Sequence, residues 1–136
     1  MAVNFTGKYK LCKSDNFEEY MLKMGVSENV RKTAVIMSPT CDIQQFGDNF
    51  VIRMNVPVLG VHEQKFSVGK PFNDISPTCE KRVVIVRWMG DKLVFEDVDE
   101  NENKPHRVIR ELMDSGDMIV KCIKDEVVCT RIFKRI

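Results

Sequence analysis

The sequence has few of the residues on which many catalytic and metal sites depend. It contains only two histidines, His62 and His106, and they lie far apart in the chain. Its five cysteines form an odd number and never occur at a C-x-x-C spacing, so neither a disulfide framework nor a zinc site is predicted. No Ser/His/Asp or Cys/His arrangement with a supporting context is present. We therefore expect that the protein is not an enzyme and holds no metal.

Net charge and long apolar runs are also scarce. The 21 Lys and Arg residues nearly balance the 20 Asp and Glu residues, so no overall field favours nucleic acid as a partner. No apolar run approaches the roughly 18 residues of a membrane span, and residues 1–5 are too short and too polar for a signal peptide. We expect one soluble domain over residues 1–136, in a cytoplasm that keeps its thiols reduced.

A helical hairpin is predicted within residues 15–38. Apolar residues recur at helical spacing over residues 17–24 and are followed by a glycine, which is typical of a helix end. Asp15 or Ser14 can cap this helix, and Glu18 stands three residues after Asp15 as in a capping box. Ser27 can cap a second helix that ends before the next proline. Each helix is too short to be stable alone, so the pair must pack on another part of the protein.

The chain after Pro39 is predicted to consist of strands. Turn signals recur there at intervals of mostly eight to fifteen residues, which is typical of an antiparallel meander. With a first strand at Gly7–Leu11, about ten strands are predicted. Closure into an up-and-down barrel removes the sheet edges, and about ten strands leave a larger interior than eight do. The prediction is an all-β protein, a ten-stranded antiparallel up-and-down barrel with the helical hairpin as a lid over one mouth.

Two arginines are candidate ligand anchors. By the two-residue alternation of a strand, Arg110 shares a face with Val108, and Arg131 shares a face with Cys129. An arginine that points into an apolar barrel is unfavourable unless it is paired, and a ligand carboxylate can pair it through two parallel hydrogen bonds. Both strands carry apolar residues on each face, so the pattern alone leaves open whether either arginine points inward.

Motifs along the whole chain resemble those of one known family. The chain opens with Gly7-Lys8-Tyr9-Lys10-Leu11 and Asn16-Phe17-Glu18, and Phe66-x-Val68-Gly69-x-x-Phe72 lies in its middle. Arg110-Glu111-Leu112 and Thr130-Arg131-Ile132-Phe133 follow in its last third. In order and spacing these motifs resemble the intracellular lipid-binding proteins, which are the cytosolic fatty-acid-binding and cellular retinoid-binding proteins. The resemblance implies a lipocalin-like (calycin) barrel.

The resemblance also implies a function and a set of site residues. It implies a non-enzymatic carrier of a long-chain fatty acid, without any other cofactor, whose carboxylate is held by Arg110, Arg131 and the residue at position 133. That residue is Phe133 here, so the hydroxyl of the tyrosine usual in the family is missing. The cavity and portal residues implied by the resemblance are Phe17, Met21, Val26, Ala34, Met37, Pro39, Met54, Val56, Leu59, Val108, Val120, Cys122 and Cys129.

Several alternatives stay open at this point. The ligand can be retinoic acid or another apolar acid that resembles a bile acid, or the protein can be a membrane-interaction protein in which any ligand is incidental. Retinol binders carry glutamine in place of both arginines, so an acid is favoured over an alcohol. Lys23, Arg31 and Lys32 can present a basic patch to anionic membranes, with an ordinary solvated lid surface as the alternative. The family resemblance further implies a monomer in the cytoplasm, with the nucleus as a second location.

Overall fold

The computed structural model describes residues 3–57, 60–75, 81–98 and 106–136. Ten strands and two helices lie within these ranges. In chain order they are β1 (Gly7–Asp15), α1 (Phe17–Lys23), α2 (Glu28–Ala34), β2 (Thr40–Phe46), β3 (Asn49–Val56), β4 (Gly60–Ser67), β5 (Phe72–Ile75), β6 (Lys81–Met89), β7 (Lys92–Asp97), β8 (Arg107–Leu112), β9 (Met118–Lys124) and β10 (Val127–Arg135).

The ten strands form one antiparallel sheet that curls into a nearly closed barrel. Its strand order is β4-β3-β2-β1-β10-β9-β8-β7-β6-β5, so β1 joins β10 and the two edges are β4 and β5. Polar side chains bridge these edges, because Asp74 of β5 lies 3.1 Å from His62 Nε2 and 3.1 Å from Gln64 Nε2, both on β4. The predicted fold, a ten-stranded up-and-down barrel with two helices, is confirmed.

One end of the barrel is filled by aromatic side chains. Phe5 stacks on Trp88 with ring centroids 6.1 Å apart, and Phe50 lies 5.1 Å from Phe66. The Trp88 indole nitrogen donates to Asp48 Oδ1 in the turn between β2 and β3 at 3.0 Å. Each large ring removes on the order of 150–250 Å² of surface from water. This end is therefore a packed core, and any ligand space lies toward the opposite end.

The two helices occupy the predicted region, but the predicted cap of the first helix is wrong. Pairing between β1 and β10 continues to Asp15, which faces Thr130, and this keeps Asp15 in the strand. Asn16 precedes α1 instead, with φ 64° and no side-chain cap bond to any residue that the structure describes. Asparagine tolerates this left-handed conformation better than most residues. Its side-chain amide donates to the Val128 carbonyl of β10 at 3.1 Å and so fixes the strand–helix junction.

The helices cover the end of the barrel opposite the aromatic core. α1 packs against β9 and β10 and buries Met21. α2 starts after Ser27, as predicted, but Ser27 makes no side-chain cap bond within the described residues, and α2 ends at Ala34. No described helix is long and apolar enough to cross a membrane.

Candidate functional site: the cavity under the helices

A cavity of about 250 Å³ lies between the two helices and the inner wall of the barrel. Side chains from both helices and from every strand between β3 and β10 line it. Two-residue alternation places these side chains on the inner face of their strands, as with Ile52, Met54 and Val56 of β3. Most of the lining is apolar, so the cavity suits a ligand with a large hydrocarbon part.

The cavity brings together most of the residues that the sequence singled out. The candidates in its lining are Phe17, Met21, Val26, Ala34, Met37, Pro39, Met54, Val56, Val108, Arg110, Val120, Cys122, Arg131 and Phe133. Among the described candidates, Cys129 alone lies outside the lining, fully buried directly opposite Cys122 in the sheet. Leu59 lies outside the described residues.

Arg110 and Arg131 both point inward, which the sequence pattern had left open. Their side chains are among the few buried charged groups of the described chain, at 6% and 9% exposure. Each faces Val120 of β9 in the sheet register, Arg110 from β8 and Arg131 from β10. Two strand spacings separate them, which corresponds to about 10 Å between their backbones. They therefore form a pair of cations at one level of the wall, which we call the arginine pole.

The arginine pole is surrounded by rings and sulfur atoms. The Arg131 guanidinium stacks on Phe17 of α1, 3.8 Å from the ring centroid, and Arg110 lies 5.5 Å from the centre of Phe95. Arg110 Nη1 lies 3.9 Å from the Met118 sulfur. Within the described chain, neither arginine has a carboxylate partner, and the Nε of each makes no hydrogen bond.

Burial changes the acidity of groups at the arginine pole. Burial lowers the pKa of Arg131, and the charge of Arg110 acts in the same direction. A hydrogen bond to Cys129 lowers the pKa of the Cys122 thiol against the opposing effect of burial, and both arginines add to that lowering. This hydrogen bond and burial raise the pKa of Cys129. The two thiols beside the pole therefore differ in acidity.

A second set of polar residues lines the cavity nearer the helices. They come from β4 to β7 and from the residue just before β8, and we call them the polar belt: His62, Gln64, Asp74, Arg82, Asp97 and His106. Arg82 Nη1 lies 2.9 Å from His106 Nδ1 and 3.7 Å from Asp97 Oδ2. Tyr20 of α1 hydrogen-bonds to His106 Nε2, so the belt also holds the first helix. Burial raises the pKa of Tyr20, which keeps its hydroxyl protonated.

Asp74 stays ionised within the belt. Burial raises its pKa, but hydrogen bonds from His62 and Gln64 and the charge of Arg82 outweigh that effect, and the pKa lies below its ordinary value. In the part of the chain that the structure describes, no group of three or more His, Cys, Asp or Glu side chains is placed to hold a metal ion.

The sequence reasoning missed the polar belt. Its members lie on the same strand faces as buried apolar residues, for example Arg82 with Val84 and Val86. The two-residue alternation indicates which side chains share a face of a strand. It does not indicate which of the two faces points into the barrel, because that depends on the register of the whole sheet.

Comparisons with known proteins agree with this architecture. A model of the lipocalin and cytosolic fatty-acid-binding protein family matches residues 2–136. Human cellular retinoic acid-binding protein 2 is 34% identical over 136 residues, which cover 97% of this chain and 98% of that protein. Mouse fatty acid-binding protein 12 is 31% identical and is matched over 100% of both chains. The solved structure of human cRBP IV has a TM-score of 0.88 at 29% identity and covers 98% of this chain and 99% of its own.

Proposed function

Because the chain belongs to the lipocalin and cytosolic fatty-acid-binding protein family, we propose that it carries a long-chain fatty acid inside its barrel, with the carboxylate at the arginine pole. As a member of this family it is a binding protein and not an enzyme. The names of the human and mouse relatives state that one binds retinoic acid and the other a fatty acid.

The observation that carries the proposal is the pair of buried arginines without an anionic partner in the described chain. Isolated buried charge is strongly unfavourable unless it is paired and hydrogen-bonded. A carboxylate between Arg110 and Arg131 would supply both the opposite charge and the missing acceptors. A neutral head group would leave the two cations uncompensated, which favours an acid over an alcohol or an ester.

The apolar lining supplies the second part of the proposal. Burial of a hydrocarbon chain contributes about 0.8 kcal/mol for each CH₂ group, so the tail provides most of the affinity and the arginines orient the ligand. Methionines at positions 21, 24, 37 and 54 line the cavity, and their flexible side chains can adapt to chains of different shape.

Competition binding tests the proposal. Protein stripped of lipid is titrated with oleate, oleyl alcohol and methyl oleate against a fluorescent fatty acid. Oleate is expected to bind at least tenfold more tightly than the other two, because only oleate pairs the arginines. Equal affinity for the acid and the ester would contradict binding of the carboxylate by the two arginines. Absence of all binding would contradict the carrier function.

Retinoic acid is the second candidate ligand, and the 34% identity to human cellular retinoic acid-binding protein 2 favours it. It carries the same carboxylate on a stiffer apolar body, so it would use the same pole. Retinoic acid and oleate competed against the same probe distinguish the two ligands. Identification by mass spectrometry of the lipid that co-purifies with the native protein provides an independent answer.

We further propose that the carrier is a monomer of the cytoplasm and nucleus that exchanges ligand during brief contacts of its helices with membranes. Leu22 and Ile36 are 55% and 83% exposed on this surface. Of the candidate basic residues, Lys23 lies 3.2 Å from Glu126, Lys32 lies 3.3 Å from Glu28, and Arg31 donates to the Val26 carbonyl. Because the carboxylates of Glu126 and Glu28 offset the charges of Lys23 and Lys32, we expect weak, salt-sensitive binding to anionic vesicles.

A further inference from the structure

The polar belt lies at a defined distance from the arginine pole. His106 precedes Arg110 by four residues on the same inner face, just before β8. On β7, Asp97 lies four residues after Leu93, which is the register partner of Arg110. Four residues of strand span about 13 Å between the backbones of the two positions. A hydrocarbon tail that runs from the arginine pole toward the helices therefore reaches the belt.

The charges of the two regions are balanced differently. The arginine pole holds two cations without a carboxylate partner among the described residues, whereas in the belt Asp74 lies beside His62, and Asp97 lies beside Arg82 and His106. A carboxylate is consequently attracted to the pole and disfavoured at the belt. The belt offers both donors and acceptors, through the amide of Gln64, the imidazoles and the carboxylates. Such a mixture suits a neutral hydroxyl or carbonyl oxygen.

The belt also keeps surface that faces the cavity. Its side chains are mostly buried but not closed off, at 10% exposure for Asp74, 16% for Arg82, 19% for His62 and 21% for Asp97. A plain hydrocarbon tail would remove water from these groups without replacing its hydrogen bonds, which is unfavourable. An oxygen atom on the tail at this level would replace them.

We propose that the polar belt is a second ligand subsite, which selects long-chain acids that carry a hydroxyl or keto group near the middle of the chain. This inference rests on the proposed fatty-acid function and narrows its ligand class. With carbon–carbon bonds of about 1.52 Å and angles of about 111°, as in the backbone, a span of about 13 Å corresponds to about ten bonds of an extended chain. The favoured substituent therefore lies about ten to twelve carbons from the carboxylate.

Calorimetry with matched acids tests the inference. Lipid-free protein is titrated with octadecanoate, 2-hydroxyoctadecanoate and 12-hydroxyoctadecanoate. The 12-hydroxy acid is expected to bind about threefold to tenfold more tightly than octadecanoate, because its hydroxyl forms one or two additional hydrogen bonds with the belt. The 2-hydroxy acid is expected to show no such gain in affinity. Equal or weaker binding of the 12-hydroxy acid overturns the subsite while leaving the carrier function intact. Failure of all three acids to bind overturns the carrier function and the subsite with it.

Two substitutions in the belt locate the effect. Gln64→Leu and His106→Leu each remove polar groups from the belt, and the affinity ratio of 12-hydroxyoctadecanoate to octadecanoate is expected to fall toward one in at least one of them. Gln44→Leu makes the same chemical change as Gln64→Leu on an exposed position of β2 and is expected to leave the ratio unchanged. A ratio that stays at the wild-type value in both belt variants overturns the assignment. The wild-type comparison decides the main question even if a variant fails to fold.

Discussion

Arg110 and Arg131 differ in what surrounds their guanidinium groups, although both flank Val120. One face of Arg131 is occupied by Phe17 of α1, and Phe133 beside it carries no hydroxyl that could hold a carboxylate. Arg110 contacts mainly Phe95 and the Met118 sulfur. The Phe17 ring centroid lies 3.8 Å from the Arg131 guanidinium carbon, whereas the Phe95 ring centroid lies 5.5 Å from that of Arg110. Arg110 is therefore the more available partner for a ligand.

Arg110→Gln is expected to weaken oleate binding more than Arg131→Gln does. Removal of one partner from a buried charged hydrogen bond typically costs about 2–5 kcal/mol, and we expect Arg110→Gln to fall in this range. Calorimetry with oleate measures both variants. A larger loss for Arg131→Gln would reverse the ranking, and no loss for either would place the head group away from the arginine pole.

Phe133→Tyr is expected to tighten oleate binding. The Phe133 ring centre lies 5.7 Å from the Arg131 guanidinium carbon, so an added hydroxyl can reach a carboxylate held there. One hydrogen bond to a charged group contributes about 1.5–3 kcal/mol. The same calorimetric titration measures the gain. Unchanged affinity would indicate that the head group lies deeper, beside Arg110.

The two arginines also show what the sequence can predict about the site. Motif resemblance singled out Arg110 and Arg131, whereas alternation alone did not decide their direction, because both faces of β8 and β10 carry apolar residues. The polar belt was missed for a related reason. His62 and Asp74 approach each other only because β4 and β5 meet as the two edges of the curled sheet. No pattern within one strand contains that information.

At the level of elements, the two helices of the lid are held to very different degrees. α1 is connected to the barrel by Asn16 to the Val128 carbonyl, by Tyr20 to His106 and by Lys23 to Glu126. None of the seven described residues of α2 is fully buried. Few buried contacts mean a low free energy of local opening. Helical periodicity predicted both helices correctly, but the cap at Asp15 failed because pairing with β10 extends β1.

Hydrogen exchange is expected to be at least tenfold faster for the backbone amides of α2 than for those of α1. The reason is the difference in burial and in connections to the barrel. Exchange followed by mass spectrometry of peptides from residues 17–24 and 28–35 measures it in the lipid-free protein. Equal protection of the two helices would show that they open together as one unit.

For the whole molecule, closure of the barrel depends on side chains as well as on strand pairing. Asp74 connects β5 to His62 and Gln64 of β4 where the sheet has its two edges. The pKa of Asp74 is lowered in the folded protein. Its stabilising contribution is therefore fully present above the unfolded-state pKa of about 3.9 and is lost as the pH falls through the lower folded-state pKa.

Asp74→Asn is expected to lower the free energy of unfolding at pH 7 by about 1–3 kcal/mol. The reason is that the carboxylate accepts hydrogen bonds through both oxygens, whereas the amide nitrogen of asparagine can only donate. The variant is also expected to lose less stability than the wild type as the pH falls below about 4. Urea unfolding at several pH values measures both effects. Identical stability of variant and wild type at pH 7 would show that strand pairing alone closes the barrel.

The aromatic core at the closed end has a consequence for optical measurements. Trp88 is the only tryptophan of the chain, and it lies among Phe5, Phe50 and Asp48 rather than in the lining of the cavity. Its emission spectrum should shift to the red when the chain unfolds, because the half-buried indole then becomes fully exposed to water. Occupation of the cavity should change that spectrum very little. Intrinsic tryptophan fluorescence is thus expected to report the folding of this protein and to be insensitive to ligand binding.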